Sequence, residues 1–182
     1  MTFTKFLPVA ILIGILAALS IILSSWSGYP VWPVFISWGL YFVAGAKPSR
    51  IHKEVIGLTG GIIFGYLTLA VVPTYTSLFG SFWGLPLTVF TAAFLIVLLE
   101  LTDWFELAPA YFLSYAGYFA YVFGNFAGTG ATPAQAAIPF WGLTMVGLVF
   151  GYVSATLRKK ILEKEGLFGS AQETVFDKET RV

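Results

Sequence analysis

Nineteen consecutive residues from Pro8 to Trp26 carry no charge, and nearly all are apolar. At about 1.5 Å of helix per residue, such a run covers most of a hydrocarbon core roughly 30 Å thick. Val55 to Val72 and Ile138 to Leu157 repeat the pattern, and Pro86 to Leu101 is a shorter version with Glu100 near its end. Two further runs, Pro30 to Ala46 and Leu107 to Gly124, are crowded with Pro, Gly and aromatic residues. Only 10% of the residues are charged, against about 25% in an ordinary soluble domain. An isolated apolar run must satisfy its own backbone hydrogen bonds in lipid, so the runs predict six transmembrane α-helices. The alternation that barrel strands require is missing. The first run is longer than the 7–15-residue core of a cleaved signal, and no small-x-small site follows it.

The runs are also copied. Gly61 to Thr68 reads GIIFGYLT and Gly147 to Ser154 reads GLVFGYVS. Leu7-Pro8 and Trp26 recur as Leu85-Pro86 and Trp104, both at an offset of 78. Pro33 pairs with Pro109, and the element from Ser37 to Phe42 pairs with that from Ser114 to Phe119. Ala46-Lys47-Pro48 pairs with Ala131-Thr132-Pro133, and Gly57-Leu58-Thr59 with Gly142-Leu143-Thr144. The order is preserved, while the offset rises from 76 or 77 to 85 and then 86. The second copy therefore carries an insertion of about eight residues around Tyr121 to Gly130.

Three spans per copy is an odd number, so the second copy enters the membrane from the opposite side. The expected architecture is an all-α, 3+3 inverted-topology repeat in which the second helix of each repeat is short or broken. Repeat 1 covers about 5–78 and repeat 2 about 82–157, forming a single transmembrane domain over 1–157 with a polar cytoplasmic tail over 158–182 that stays helical for one or two turns from Arg158. With the N-terminus inside, all ten Lys and Arg fall on the cytoplasmic side: Lys5, the loop holding Lys47, Arg50 and Lys53, and the tail from Arg158. The loops assigned outside contain none, as the positive-inside rule requires. Both termini are thus expected in the cytoplasm.

Chemistry-bearing residues are few. Gly57, Gly61 and Gly65 recur at four-residue steps, and Gly142, Gly147 and Gly151 form a similar set. Small residues so spaced let helices approach closely, and packing is the reading for these glycines. Gly/Pro-interrupted segments at matching positions of two inverted halves point to a transport pathway. Ser37, Trp38, Tyr41, Phe42 and Ser114, Tyr115, Tyr118, Phe119 are therefore pathway candidates, with Asn125 as a further hydrogen-bonding group, and packing is their competing reading. Trp26, Tyr29, Trp32, Trp83 and Trp104 read as an interfacial belt.

Intramembrane charge is nearly absent, whereas ion-coupled pumps place ionisable groups in the bundle interior. Glu100, Asp103 and Glu106 follow at steps of three and share a face if the fourth helix continues. They form either a cation or proton vestibule or an interfacial set paired with Lys47, Arg50 or Lys53. His52 alone, with no cysteine in the chain, makes no metal site. Neither a GxxxxGK loop nor a GxSxG elbow is present, and Gly128-Thr129-Gly130 lacks the lysine of a phosphate cradle. The expectation is a protein that is not an enzyme, with no cofactor, no metal and no nucleic-acid partner.

APAYFLSYAGYFA (Ala108 to Ala120), GNFAGTG (Gly124 to Gly130), IPFWGLTMVGLVFGY (Ile138 to Tyr152) and SWGLYFVAGA (Ser37 to Ala46) together resemble the YcdZ-like group of small bacterial inner-membrane proteins, a domain-of-unknown-function family. The resemblance implies a multi-pass inner-membrane protein and carries no substrate. From the residues, the expected function is a channel or facilitator for a small, mostly uncharged solute such as urea, an amide, ammonia or a short weak acid. Alternatives are a proton- or cation-coupled transporter using Glu100 and Asp103, and a non-transporting scaffold. Glycine-rich faces on short spans also predict a homo-oligomer in the lipid bilayer.

Overall fold

A computed structural model describes residues 3–167 and contains six α-helices. They are α1 (Phe3–Ser27), α2 (Trp32–Val43), α3 (Ile51–Phe79), α4 (Ser81–Leu99), α5 (Ala108–Phe123) and α6 (Pro133–Lys164), with a 3-10 turn at Pro48–Arg50 before α3. No strand occurs among the described residues. Four segments, Phe3–Ser27, Pro48–Phe79, Ser81–Leu99 and Pro133–Lys164, are long and apolar enough to cross a membrane. Their outward faces match that medium: Ile11, Ile15 and Ile22 of α1 and Phe90 and Phe94 of α4 are all more than half exposed. In water a surface of that kind would be an association hazard, whereas in lipid it is the ordinary outside of a bundle.

α2 and α5 are the short helices, at 12 and 16 residues. At about 1.5 Å per residue they are about 18 and 24 Å long, so each needs its non-helical flanks to complete a crossing of a core roughly 30 Å thick. Each opens with proline in its first turn, where the missing N–H costs no helical hydrogen bond. Each also ends on the same backbone pattern. Ala44, Gly45 and Ala46 donate to Leu40, Phe42 and Tyr41, and Gly124, Asn125 and Phe126 donate to Ala120, Val122 and Tyr121. These caps correspond at an offset of 80, so three residues of the insertion lengthen α5 by about one turn and the rest enter the 124–132 loop.

The helix ends differ from the expected runs at three places. α3 begins at Ile51 and so includes Lys53 and Glu54. α4 stops at Leu99, placing Glu100, Asp103 and Glu106 in the following turn, where they share no helical face. α6 continues seven residues beyond the Leu157 end of its uncharged run, the one or two further turns expected there, and these turns have an apolar side to bury: Leu162 packs with Val9, Phe6 and Leu167. The part of the expected polar tail beyond 167 lies outside the described residues. Between α3 and α4 the chain reverses through Gly80 alone, at φ +86°, a conformation that penalises any side chain.

The chain divides into two compact units that cut across the sequence halves. Among the described residues, unit 1 joins 3–51 to 143–167, and unit 2 is His52–Gly142. Each unit thus combines a short helix from one half with the glycine face of a long helix from the other. α2 meets α6 in unit 1, and α5 meets α3 in unit 2.

Candidate functional site

In unit 2 the glycines of α3 lie against α5. A Cβ at Gly57 would stand 2.5 Å from the Ala110 Cβ, and one at Gly65 2.6 Å from the Tyr118 Cδ1. At Gly61 it would collide with Ser114 Oγ and the Tyr111 carbonyl oxygen. In unit 1 the glycines of α6 lie against α2 in matching register. A Cβ at Gly147 would collide with Ser37 Oγ and the Val34 carbonyl oxygen, and one at Gly151 would stand 2.6 Å from the Tyr41 Cβ. Gly142 differs from the rest of its set, with nothing within 4 Å of its Cβ position.

The serines at the two crossings are fully buried. Ser114 donates to the Ala110 and Tyr111 carbonyls at 3.0 and 3.2 Å, and across the seam to the Gly57 carbonyl at 3.4 Å. Ser37 donates to the Pro33 and Val34 carbonyls, each at 3.3 Å. Their hydroxyls are therefore already bonded to backbone of the preceding turn, as serines within helices commonly are.

At the residue after each serine, each seam carries a polar cross-link. Trp38 Nε1 donates to Ser154 Oγ at 2.9 Å in unit 1, and the Tyr115 hydroxyl and Thr68 Oγ1 lie 3.0 Å apart in unit 2. Tyr118 donates from its hydroxyl to the Pro133 carbonyl oxygen, at the start of α6. Tyr41 and Tyr118 are buried, and Phe42 and Phe119 are partly exposed. Phe119 stands edge-on to Tyr115 at 4.6 Å between ring centroids. Asn125 is exposed at φ +55°. It occupies the left-handed position that ends a helix, which Asn tolerates better than most residues.

The acidic residues lie elsewhere. Lys53 bridges Asp103 at 2.8 Å and Glu106 at 2.7 Å, while Glu100 is exposed. The hydrogen bond from Lys53, reinforced by its charge, holds the Asp103 carboxyl below its ordinary value. His52 stands 5.4 Å from the Trp104 ring. Among the described residues no group of His, Asp and Glu could hold a metal.

Four features of the site lie outside the sequence reading. Thr68 and Ser154, the cross-link partners, are the last letters of the repeated GIIFGYLT and GLVFGYVS, so the repeat itself pointed to them. Trp141 donates to Thr59 at 3.0 Å, a link between distant positions with no local signal. Tyr111 is 1% exposed and its hydroxyl has no hydrogen-bond partner among the described residues. Glu54 is fully buried in the first turn of α3. Uncharged runs stop at a charge, so counting them left Glu54 outside the span.

Comparison with known proteins places the chain without assigning an activity. No curated protein and no solved structure matches it. The sequence pattern of one family, described as protein of unknown function (DUF1097), matches residues 10–159, which takes in every helix but the ends of α1 and α6. With most of its length matched, this chain belongs to the DUF1097 family.

Proposed function

We propose that the protein is a multi-pass inner-membrane channel or facilitator for a small, mostly uncharged solute. In this reading its six helices form a 3+3 inverted repeat, both termini are cytoplasmic, and copies associate as a homo-oligomer. Within the family we place it with the YcdZ-like group, on the Ala108 to Ala120 and Gly124 to Gly130 segments. The observation that carries the proposal is the pair of short helices seated in one register on glycine faces: Ser37 on Gly147 and Tyr41 on Gly151, as Ser114 on Gly61 and Tyr118 on Gly65. Short helices at matching positions of two inverted halves are where transporters build their pathways.

In this reading the polar contacts pass from the two serines to their neighbours. Ser37, Ser114, Thr68 and Ser154 each donate to a backbone carbonyl of their own helix, so the donors able to turn to a passing solute are Trp38 Nε1 and the Tyr115 hydroxyl, which now face Ser154 and Thr68. Within each unit, a few hydrogen-bonding side chains in an otherwise uncharged seam suit a neutral solute. Liposome flux of urea, acetamide, ammonia and acetate tests it: Tyr115→Phe and Ser154→Ala should change the rate while assembly is kept. If no solute moves through the wild-type protein, the scaffold reading replaces this one.

A coupled transporter is the second reading, and Glu54 favours it. A fully buried carboxylate in an apolar helix is the kind of group that marks proton and ion paths, whereas Glu100 and Asp103 are exposed. Loss of gradient-driven uptake in Glu54→Gln, with passive flux retained, would select coupling.

A further inference from the structure

We infer that the end of unit 1 formed by α1 and the last turns of α6 binds the headgroup of an anionic phospholipid. The inference rests on the membrane reading and is independent of which solute, if any, crosses.

The charged turns of α6 are built into the fold. Leu162 and Leu167 are buried with Val9 of α1, and Phe6 and Ile161 pack against them. The Arg158 guanidinium lies over the Phe6 ring at 5.4 Å, a cation–π contact that holds the two helices at a defined spacing. The turns that carry the cations are therefore held in place. Lys160 and Lys164 are exposed on the α6 face that also carries Leu157, since residues three and four apart share a side. Lys5 is exposed on α1, one turn beyond Val9.

Below these cations the same surface is apolar. On that side of α6 Leu157 is 36% and Val149 60% exposed, with half-buried Val153 between them at four-residue steps. Lys and Arg here outnumber Glu163 and Glu165, so the end remains net positive. Ammonium groups directly above an apolar shelf complement a phosphate carried on acyl chains. A free anion would use only the upper half of that surface. Lys/Arg clusters at the ends of membrane helices attract anionic lipids through the same charge complementarity.

The test is thermal unfolding of the full-length protein in detergent, with added phosphatidylglycerol, phosphatidylcholine of the same chains, or glycerol phosphate. A bound ligand raises the midpoint in proportion to its affinity for the folded state. Phosphatidylglycerol should raise it by several degrees and the other two should not. Lys160→Gln/Lys164→Gln should lose most of that rise, while Lys47→Gln/Arg50→Gln should keep it. An equal rise with phosphatidylcholine, an equal rise with glycerol phosphate, or full retention in the Lys160/Lys164 variant overturns the inference. If the variant unfolds early without lipid, Lys5→Gln, which lies on the other helix, repeats the test. Failure of the protein to partition into membranes at all would instead remove the membrane reading.

Discussion

The α3–α5 seam of unit 2 and the α2–α6 seam of unit 1 use the same parts in the same order, and they differ at one layer. Glycine meets serine, then glycine meets tyrosine, with a polar link beside them, in both. In unit 2, however, the Tyr111 ring lies directly on Gly60, with its Cδ1 2.8 Å from where a Cβ would be. The corresponding residues in unit 1 are Val34 and Val146. One seam has moved volume from the long helix to the short one. The shared layers set the distance between helices, and the exchanged layer can drift as long as its total volume is held.

The largest test of this comparison is to fill the shared glycines. Gly61→Leu and Gly147→Leu should each destabilise by about 3 kcal/mol or more, because the added atoms meet backbone that cannot yield. Gly14→Leu, with nothing within 4 Å of its Cβ position, should leave the detergent unfolding midpoint unchanged. A large effect at only one seam would break the equivalence.

Next in size is the exchanged layer. Gly60→Val should overpack against Tyr111 and Tyr111→Val should leave a void, each costing about 1–3 kcal/mol or more. Made together they copy Val146 and Val34, and a double-mutant cycle should show favourable coupling of at least about 1 kcal/mol. Simple additivity of the two losses would mean that the volumes are unrelated.

Smaller effects separate the polar groups. Tyr111→Phe removes a desolvated hydroxyl with no hydrogen-bond partner among the described residues and should stabilise by about 1 kcal/mol. Tyr115→Phe breaks the link to Thr68 and should cost about 0.6 kcal/mol, typical of such bonds in membranes. The same sign for both would undo the distinction.

The smallest effect concerns the Lys53 ion pairs, which are found in unit 2. The Asp103 pKa is lowered in the folded protein, so its contribution is present at neutral pH. It is lost as pH falls through that lowered value. Because both acids are solvent-exposed, acid titration of Lys53→Gln and the wild type should give nearly parallel stability curves. A wide divergence near neutral pH would contradict this.

The helices were legible in the sequence because lipid demands uncharged runs, and those runs fell on α1 to α6. Their ends were harder to read. Glu100 looked like part of α4, but the chain turns after Leu99 and Lys53 collects Asp103 and Glu106 from the loop. The further turn or two of α6 expected past Leu157 is present, but that Leu162 there finds Val9 is a contact between the chain's two ends that no local pattern shows. The glycine spacing and the Ser-aromatic elements were visible as separate patterns. That Gly61 meets Ser114, and Gly147 meets Ser37, is a contact between distant stretches that periodicity along one helix cannot show. Glu54 was hidden by its neighbour Lys53, since a charge pair at a helix start looks interfacial until its burial is known.

The inverted repeat we propose makes one demand that no soluble or parallel arrangement shares. The loops before α3 and α6 correspond, yet they must lie on opposite sides of the membrane. The chain has no cysteine, so Ser49→Cys and Ala134→Cys each give a single reporter for an impermeant thiol reagent. The proposal predicts labelling of position 134 in intact cells and of position 49 only after the membrane is opened. Labelling of both from the same side would contradict it.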